Sequence, residues 1–294
     1  MIWNKQNCIF ISVNQNFIDP LKICLYSLKE NYPQHPPIII YHTNLSEAQI
    51  QDLLIIEPNC FFLKNTFKKR EIGPIMDHLP AWTDPKVFYA RLALRREKVF
   101  KGYNNILHLD VDTVVLKNLD DLFQQHTFYI IKEAYTWECS IFRNHYDENL
   151  LYQLKKDNIL LWDWAYNWWV FLLPANLRDK KQYHSLVRIL QTYKKFIKRA
   201  DQSVLNIRLY KNSFLGNHDF KYNYQHRLLM NEQYDTQLKN ASIIHFNWVH
   251  YSIRSACMQK LLEIANDKKN IGIKYRQFYD SLLNDPSISW EKEW

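Results

Sequence analysis

Glycine is scarce: four in 294 residues, at Gly73, Gly102, Gly216 and Gly272. The GxGxxG fingerprint and the Walker loop both need glycines closer together than any two of these, so neither nucleotide motif is present. Phosphate recognition, if the protein performs it, rests on a metal and side chains. No stretch of about 18 apolar residues occurs, and "MIWNKQNCIF" lacks the basic start and long apolar run of a secretory signal. The expectation is an intracellular, cytoplasmic protein that does not span a membrane. The five cysteines (8, 24, 60, 139 and 257) stand singly, with neither CxxC spacing nor a dense framework. They read as reduced structural thiols. Internal repeats and low-complexity tracts are absent too.

What is present is enough to bury a full core, since 47% of the residues are hydrophobic. "CIFISV" (Cys8 to Val13) is a β-rich run. It is followed by "NFIDPLKICLYSLKENYP", where Asp19 can cap and Pro20 can open a helix with Leu21, Leu25 and Leu28 as its apolar stripe. "PPIIIYH" is the next strand, and Asn44 or Ser46 begins the helix "SEAQIQDLL". "TDPKVFYARLALRREKVF" opens on Asp84 and Pro85, turns Phe88, Leu92 and Val99 inward, and leads into "NNILHLDVD". Strand alternating with helix predicts an α/β fold, a mostly parallel sheet covered on both faces. Ligands of such sheets bind beyond the carboxyl ends of the strands.

The net charge of +8 is concentrated. Between Arg178 and Lys211 ten Lys/Arg face only Asp179 and Asp201, a local +8 that equals the total. A solvated helix face is one reading; a surface toward anionic headgroups or an anionic acceptor is the other. No nucleic-acid motif accompanies the stretch, so nucleic acid is not an expected partner.

"ILHLDVDTVVLKNLDDLF" raises the sharpest question, because it sets Asp110 and Asp112 at the end of an apolar, strand-like run. An unpaired ionised carboxylate there costs several kcal/mol. Two carboxylates at i and i+2 can reach one hard cation, Mg²⁺, Mn²⁺ or Ca²⁺ rather than zinc, if the chain turns at the strand end. The plain alternative is turn residues capping the segment that follows. The apolar approach and "FYAR" on the preceding helix favour the cation.

"FYARLALRREKVFKGYNNILHLDVDTVVLKNLDDLF" resembles the core of the family-8 glycosyltransferases: a Tyr-x-Arg helix, a Leu-Asp-x-Asp strand, a short Leu-containing segment. The resemblance runs from about Cys8 to about His245. It implies a GT-A fold, Rossmann-like, with a catalytic domain over residues 1–250 and a small helical extension over 251–294. It further implies a UDP-sugar donor, Mn²⁺ or Mg²⁺, a glycan acceptor such as lipopolysaccharide or another surface glycan, and transfer of galactose or glucose with retention. Asp110, Val111 and Asp112 then match the metal and diphosphate site, and Arg91 the arginine near the donor. "SVNQNF" puts Asn14, Asn16 and Phe17 where the family contacts uracil and ribose. "ADQSVLN" puts Asp201 and Gln202 beside the anomeric carbon, and "IIHF" makes His245 the third metal ligand. Peripheral contact with an anionic membrane would use the basic segment; tail aromatics such as Tyr275, Phe278 and Tyr279 could add anchoring, although packing against the core is the expected role for most of them.

Departures from the family pattern bear on the acceptor side. Asn167 fits an expected Asn-small-Gly segment, but Trp168 and Trp169 replace the small residues, either crowding the acceptor or offering platforms for a sugar ring. The family's Gly-x-x-Lys-Pro-Trp is replaced by "HFNWVHYSIR", which leaves the cation facing the diphosphate unassigned, with His250 and Arg254 as candidates. Glu133 and Glu138 are candidates for sugar hydroxyls. The competing readings are an inverting GT-A enzyme with Asp163 or Glu138 as base, a nucleotidyltransferase, and a noncatalytic carbohydrate-binding protein.

Overall fold

The computed structural model describes residues 7–66, 90–125, 127–132, 148–159, 166–193, 200–211, 220–247, 249–265 and 270–288. Strands β1 (Asn7–Val13), β2 (Ile38–His42), β3 (Cys60–Lys64), β4 (Asn105–Leu109), β6 (Tyr129–Lys132) and β7 (Tyr166–Pro174) form a six-stranded sheet in the order β3-β2-β1-β4-β7-β6. The pairs β1–β2, β1–β4 and β2–β3 are parallel; β7 runs antiparallel to both its neighbours. A second sheet of β5 (Thr113–Val115), β9 (Ile243–His245) and β8 (Tyr224–Gln225) stands beside it.

The central strands are apolar on both sides because both faces are covered. Cys8, Phe10, Ile106, Phe171 and Leu173 point into one hydrophobic layer; Ile9, Ile11, Leu107, Leu109, Val170 and Leu172 point into the other. Helix α1 (Ile18–Asn31) seals the second layer through Leu21, Leu25 and Leu28, all fully buried. Helix α2 (Glu47–Ile56) begins at Ser46, which forms a capping box with Gln49 and so decides between Asn44 and Ser46. The expected cap of α1 is corrected: the helix starts at Ile18, so Asp19 and Pro20 fall in its first turn and Asp19 caps nothing. Asn14 instead caps the short turn before it, accepting from Asn16 N at 2.9 Å.

Helix α3 (Ala90–Arg96) ends before Val99, which is 44% exposed rather than inward, while Leu92 is buried as expected. Helices α4 (Glu148–Lys156), α5 (Lys180–Tyr193) and α6 (Ala200–Lys211) complete the flanks. Beyond the sheets, α7 (Tyr251–Ala265) and α8 (Ile271–Leu283) share a third hydrophobic cluster with Val114, Tyr224, Ile244 and Phe246. Tyr275 is wholly buried there, and Phe278 and Tyr279 pack against the same cluster, so these tail aromatics serve packing rather than interfacial anchoring. Cys8, Cys24, Cys60 and Cys257 are free and buried. Among the described residues no helix is long and apolar enough to cross a membrane.

Candidate metal centre and active site

The parallel register brings the ends of β1 and β4 to one edge, with Ile11 opposite Leu109. Asn14 and Phe17 follow β1 there, and Asp110 and Asp112 occupy the turn from β4 into β5. Thr113 pairs with His245 across β5 and β9, which lays the histidine beside that turn. One ligand atom from each of Asp110, Asp112 and His245 lies within 4.8 Å of the others.

Asp112 is the anchored member. Its Oδ1 stands 3.2 Å from His245 Nε2 and its Oδ2 3.0 Å from Arg254 Nη1, on a carboxylate that is 7% exposed. Burial would raise its pKa; His245 and then Arg254 outweigh this and hold the group down at about 2. Asp110 is the frustrated member. Burial, then the Asp112 charge, push its pKa up, opposed by Arg91, whose Nη2 is 3.5 Å from Oδ2. Its Oδ1 accepts from Val111 N at 2.9 Å. A pair of acids held so unequally, one of them destabilised as an anion, fits a site whose charge is completed by a cation.

The donor set suits a divalent cation. Carboxylates with one imidazole match borderline-to-hard divalent ions. A 3.2 Å separation between Asp112 Oδ1 and His245 Nε2 is close to the roughly 3 Å edge of an octahedron with bonds of about 2.1 Å. His245 is 1% exposed, and its Nδ1 has no hydrogen-bond partner. Trp169 lies edge-on to its ring at 4.8 Å, so this tryptophan walls the centre. Trp168, on the opposite face of β7, is core: its ring meets Phe171 at 5.2 Å and Phe128 at 5.7 Å, and it is not a sugar platform.

Of the two candidate cations, Arg254 is the one at the site. Its guanidinium also lies 5.9 Å from the Phe17 ring and donates to Val249 O at 2.8 Å. His250 instead lies 2.7 Å from Ser252 Oγ at the start of α7. Asp201 and Gln202 fall in the first turn of α6; their side chains, and all of Glu133, Glu138 and Asp163, lie outside what is described. Asn206, one helical turn on, is buried and brackets the backbone of Tyr166 with bonds of 2.8 and 3.2 Å, tying α6 to β7. Asn223 is a residue that the sequence did not single out. It donates to Asn167 Oδ1 at 2.9 Å, and Asn167 Nδ2, Asn223 Oδ1 and Asn247 Oδ1 are buried amide atoms without partners. No local pattern marks Asn223, because its role arises only when β7 and the segment before β8 meet.

The mostly parallel sheet with a paired-acid turn at its carboxyl edge has the GT-A fold of the solved glycosyltransferase structures it resembles. The chain belongs to glycosyl transferase family 8, whose sequence model matches residues 8–249. WbbM, a bifunctional glycosyltransferase in its apo form, superposes with a TM-score of 0.62 at 15% identity, over 85% of this chain and 47% of WbbM. The chain thus spans about half of that enzyme. The galactosyltransferase LgtC, in complex with donor and acceptor sugar analogues, gives 0.58 at 17% identity, over 88% of this chain and 95% of LgtC. Mouse xyloside xylosyltransferase 1 gives 0.57 at 14% identity, over 83% and 98%. No curated protein sequence matches the chain.

Proposed function

We propose that the protein is a metal-dependent, retaining hexosyltransferase that moves galactose or glucose from a UDP-sugar to a glycan acceptor, lipopolysaccharide or another surface glycan. The observation that carries the reading is the convergence of Asp110, Asp112 and His245 within 4.8 Å at the sheet edge that also bears Asn14 and Phe17. The galactose assignment draws on likeness to LgtC, a galactosyltransferase by name. The catalytic unit is residues 1–250, and the helical extension from 251 lends it Arg254.

In this reading Asp110, Asp112 and His245 hold Mn²⁺ or Mg²⁺, which when bound offsets the negative charge that grows on the departing diphosphate. The chain's own cations work alongside it. Arg254 stands between the metal ligand Asp112 and the base-side residue Phe17, where a diphosphate joins metal to nucleoside. Arg91, through Asp110, adds a second positive charge aimed at the leaving group. Asn14, Asn16 and Phe17 take uracil and ribose. The bond from the anomeric carbon to phosphate oxygen breaks with its electrons on the phosphate, the acceptor hydroxyl forms the new bond, and its proton passes to the departing phosphate oxygen. Retention comes either from a nucleophile on the face opposite the leaving group, for which Asp201 or Gln202 is the candidate, or from front-face attack assisted by the departing phosphate. Trp169 narrows the acceptor side.

The test is thermal melting with UDP, GDP and CMP, with and without Mn²⁺. A ligand that binds only the folded protein raises its melting temperature. UDP should protect, and only when metal is present; equal protection by all three nucleotides would overturn the donor assignment.

A further inference from the structure

Strand β7 breaks its alternation at Trp169. Residues 168 and 170 would share one face of a regular strand, yet Trp168 packs into the layer of Phe171 and Leu173 while Val170 packs into the layer of Leu172, and Trp169 belongs to neither. The register against β6 slips at the same place: Ile130 faces Phe171 and Ile131 faces Asn167, so residues 168–170 are set against nothing on that strand. A bulge of this kind re-aims a side chain. The backbone of Trp169 is fixed from both ends, with its N donating to Asn167 Oδ1 at 3.2 Å and His108 Nδ1 donating to its O at 2.9 Å. His108 is itself fully buried and stacked on Phe171 at 4.9 Å, so it is a rigid clamp. The indole is thereby carried, partly exposed, to the metal centre, its ring centre 4.8 Å from that of His245.

Strand order decides which part of a donor this indole meets. Leu109, the last residue of β4, pairs with Ile11 of β1 on one side and with Val170 of β7 on the other. One step nearer the carboxyl edge, Ser12, Asp110 and Trp169 stand in that same order. A nucleotide sugar runs base, ribose, diphosphate, sugar. On the UDP-sugar reading, which this inference presupposes, the nucleoside lies at Asn14 and Phe17 beyond β1 and the diphosphate on the cation of Asp110, Asp112 and His245, so the sugar falls on the β7 side. We propose that Trp169 selects the donor sugar: its indole takes the room beside the anomeric carbon, so the site accepts a hexose with a bare hydroxyl at C2 and rejects the 2-acetamido counterpart. The C2 substituent is the one at stake because it sits next to the anomeric centre, close to the phosphate and hence to a ring 4.8 Å from a metal ligand. The acceptor hydroxyl meets the sugar on this side of the cation, so the same indole borders both.

The test is calorimetric titration, in Mn²⁺, of UDP, of UDP-glucose against UDP-N-acetylglucosamine, and of UDP-galactose against UDP-N-acetylgalactosamine, into wild type and Trp169→Ala. UDP carries no sugar and reads the nucleotide site alone. The wild type should bind each N-acetylated donor about tenfold or more weakly than its hydroxyl counterpart, the usual scale of a steric clash in a packed site. Trp169→Ala should bring the two members of each pair to equal affinity. Trp169→Leu, which keeps an apolar side chain at the position, should narrow the gap, and it decides the matter alone if the alanine variant does not fold. Equal affinities within each pair in the wild type, or a gap that neither substitution changes, overturns the role of Trp169 while UDP binding leaves the donor reading standing. Failure of UDP to bind the wild type overturns both.

Discussion

Asp110 and Asp112 are two residues apart and would serve one ion, yet removing their charges should have opposite effects on the metal-free protein. In Asp112→Asn the carboxylate held by His245 at 3.2 Å and Arg254 at 3.0 Å is lost. Bringing a carboxyl from its ordinary 3.8 to about 2 corresponds to about 2 kcal/mol at roughly 1.4 kcal/mol per pH unit. That stability is present at neutral pH and lost as pH falls through about 2. At about 2–4 °C per kcal/mol, Asp112→Asn in EDTA at pH 7 should melt roughly 4–8 °C below wild type. Asp110 is raised by burial and by Asp112, so its ionised form costs stability at neutral pH, and Asp110→Asn should leave the metal-free protein unchanged or more stable. Added Mn²⁺ should stabilise the wild type by about 2.7 kcal/mol at a hundredfold excess over Kd, and stabilise neither variant. Urea denaturation of the three proteins in EDTA and in Mn²⁺ reads both effects. Equal destabilisation by the two substitutions in EDTA would refute the division into an anchored and a frustrated carboxylate.

Arg254→Met removes the guanidinium beside Asp112 and should weaken UDP binding in Mn²⁺ by tenfold or more, with the loss expressed mainly in KM for the donor; titration of UDP checks it. His226 is buried between Phe246, Tyr275 and Tyr279, and burial, then Arg254, lower its pKa to about 3. The unfolded chain takes up that proton first, so stability should fall as pH drops below about 6.5, by up to about 1.4 kcal/mol per pH unit. His226→Phe should flatten that slope in pH-dependent unfolding. Gly272 leaves no room for a side chain, since a Cβ would sit 2.5 Å from Asp235 Oδ1. Gly272→Ala should displace the Arg276–Asp235 ion pair of 2.9 Å and lower stability by about 1–3 kcal/mol, with the donor KM unchanged.

The sequence-legible part of this molecule is what short-range pattern encodes. The apolar runs of β1, β2 and β4 and the Leu21, Leu25, Leu28 stripe announce themselves because each element must bury its own face. Asp110 and Asp112 stood out because two acids at the end of an apolar run need an explanation, and His245 because of its order along the family pattern. Long-range closure is less visible. That β7 would run antiparallel beside β4, sending Trp168 into the core and Trp169 against His245, depends on pairing across more than 50 residues. Arg254 could be named as one of two cations, but only the packing of α7 against the small sheet sets it on Asp112.

The most direct test is calorimetric titration of Mn²⁺ into the protein with saturating UDP, for wild type and for Asp112→Asn. The wild type should bind one Mn²⁺ per chain and hold UDP only with it, and Asp112→Asn should show neither event. Stoichiometric Mn²⁺ binding by Asp112→Asn, or UDP bound equally well in EDTA, would contradict a metal centre built on Asp110, Asp112 and His245.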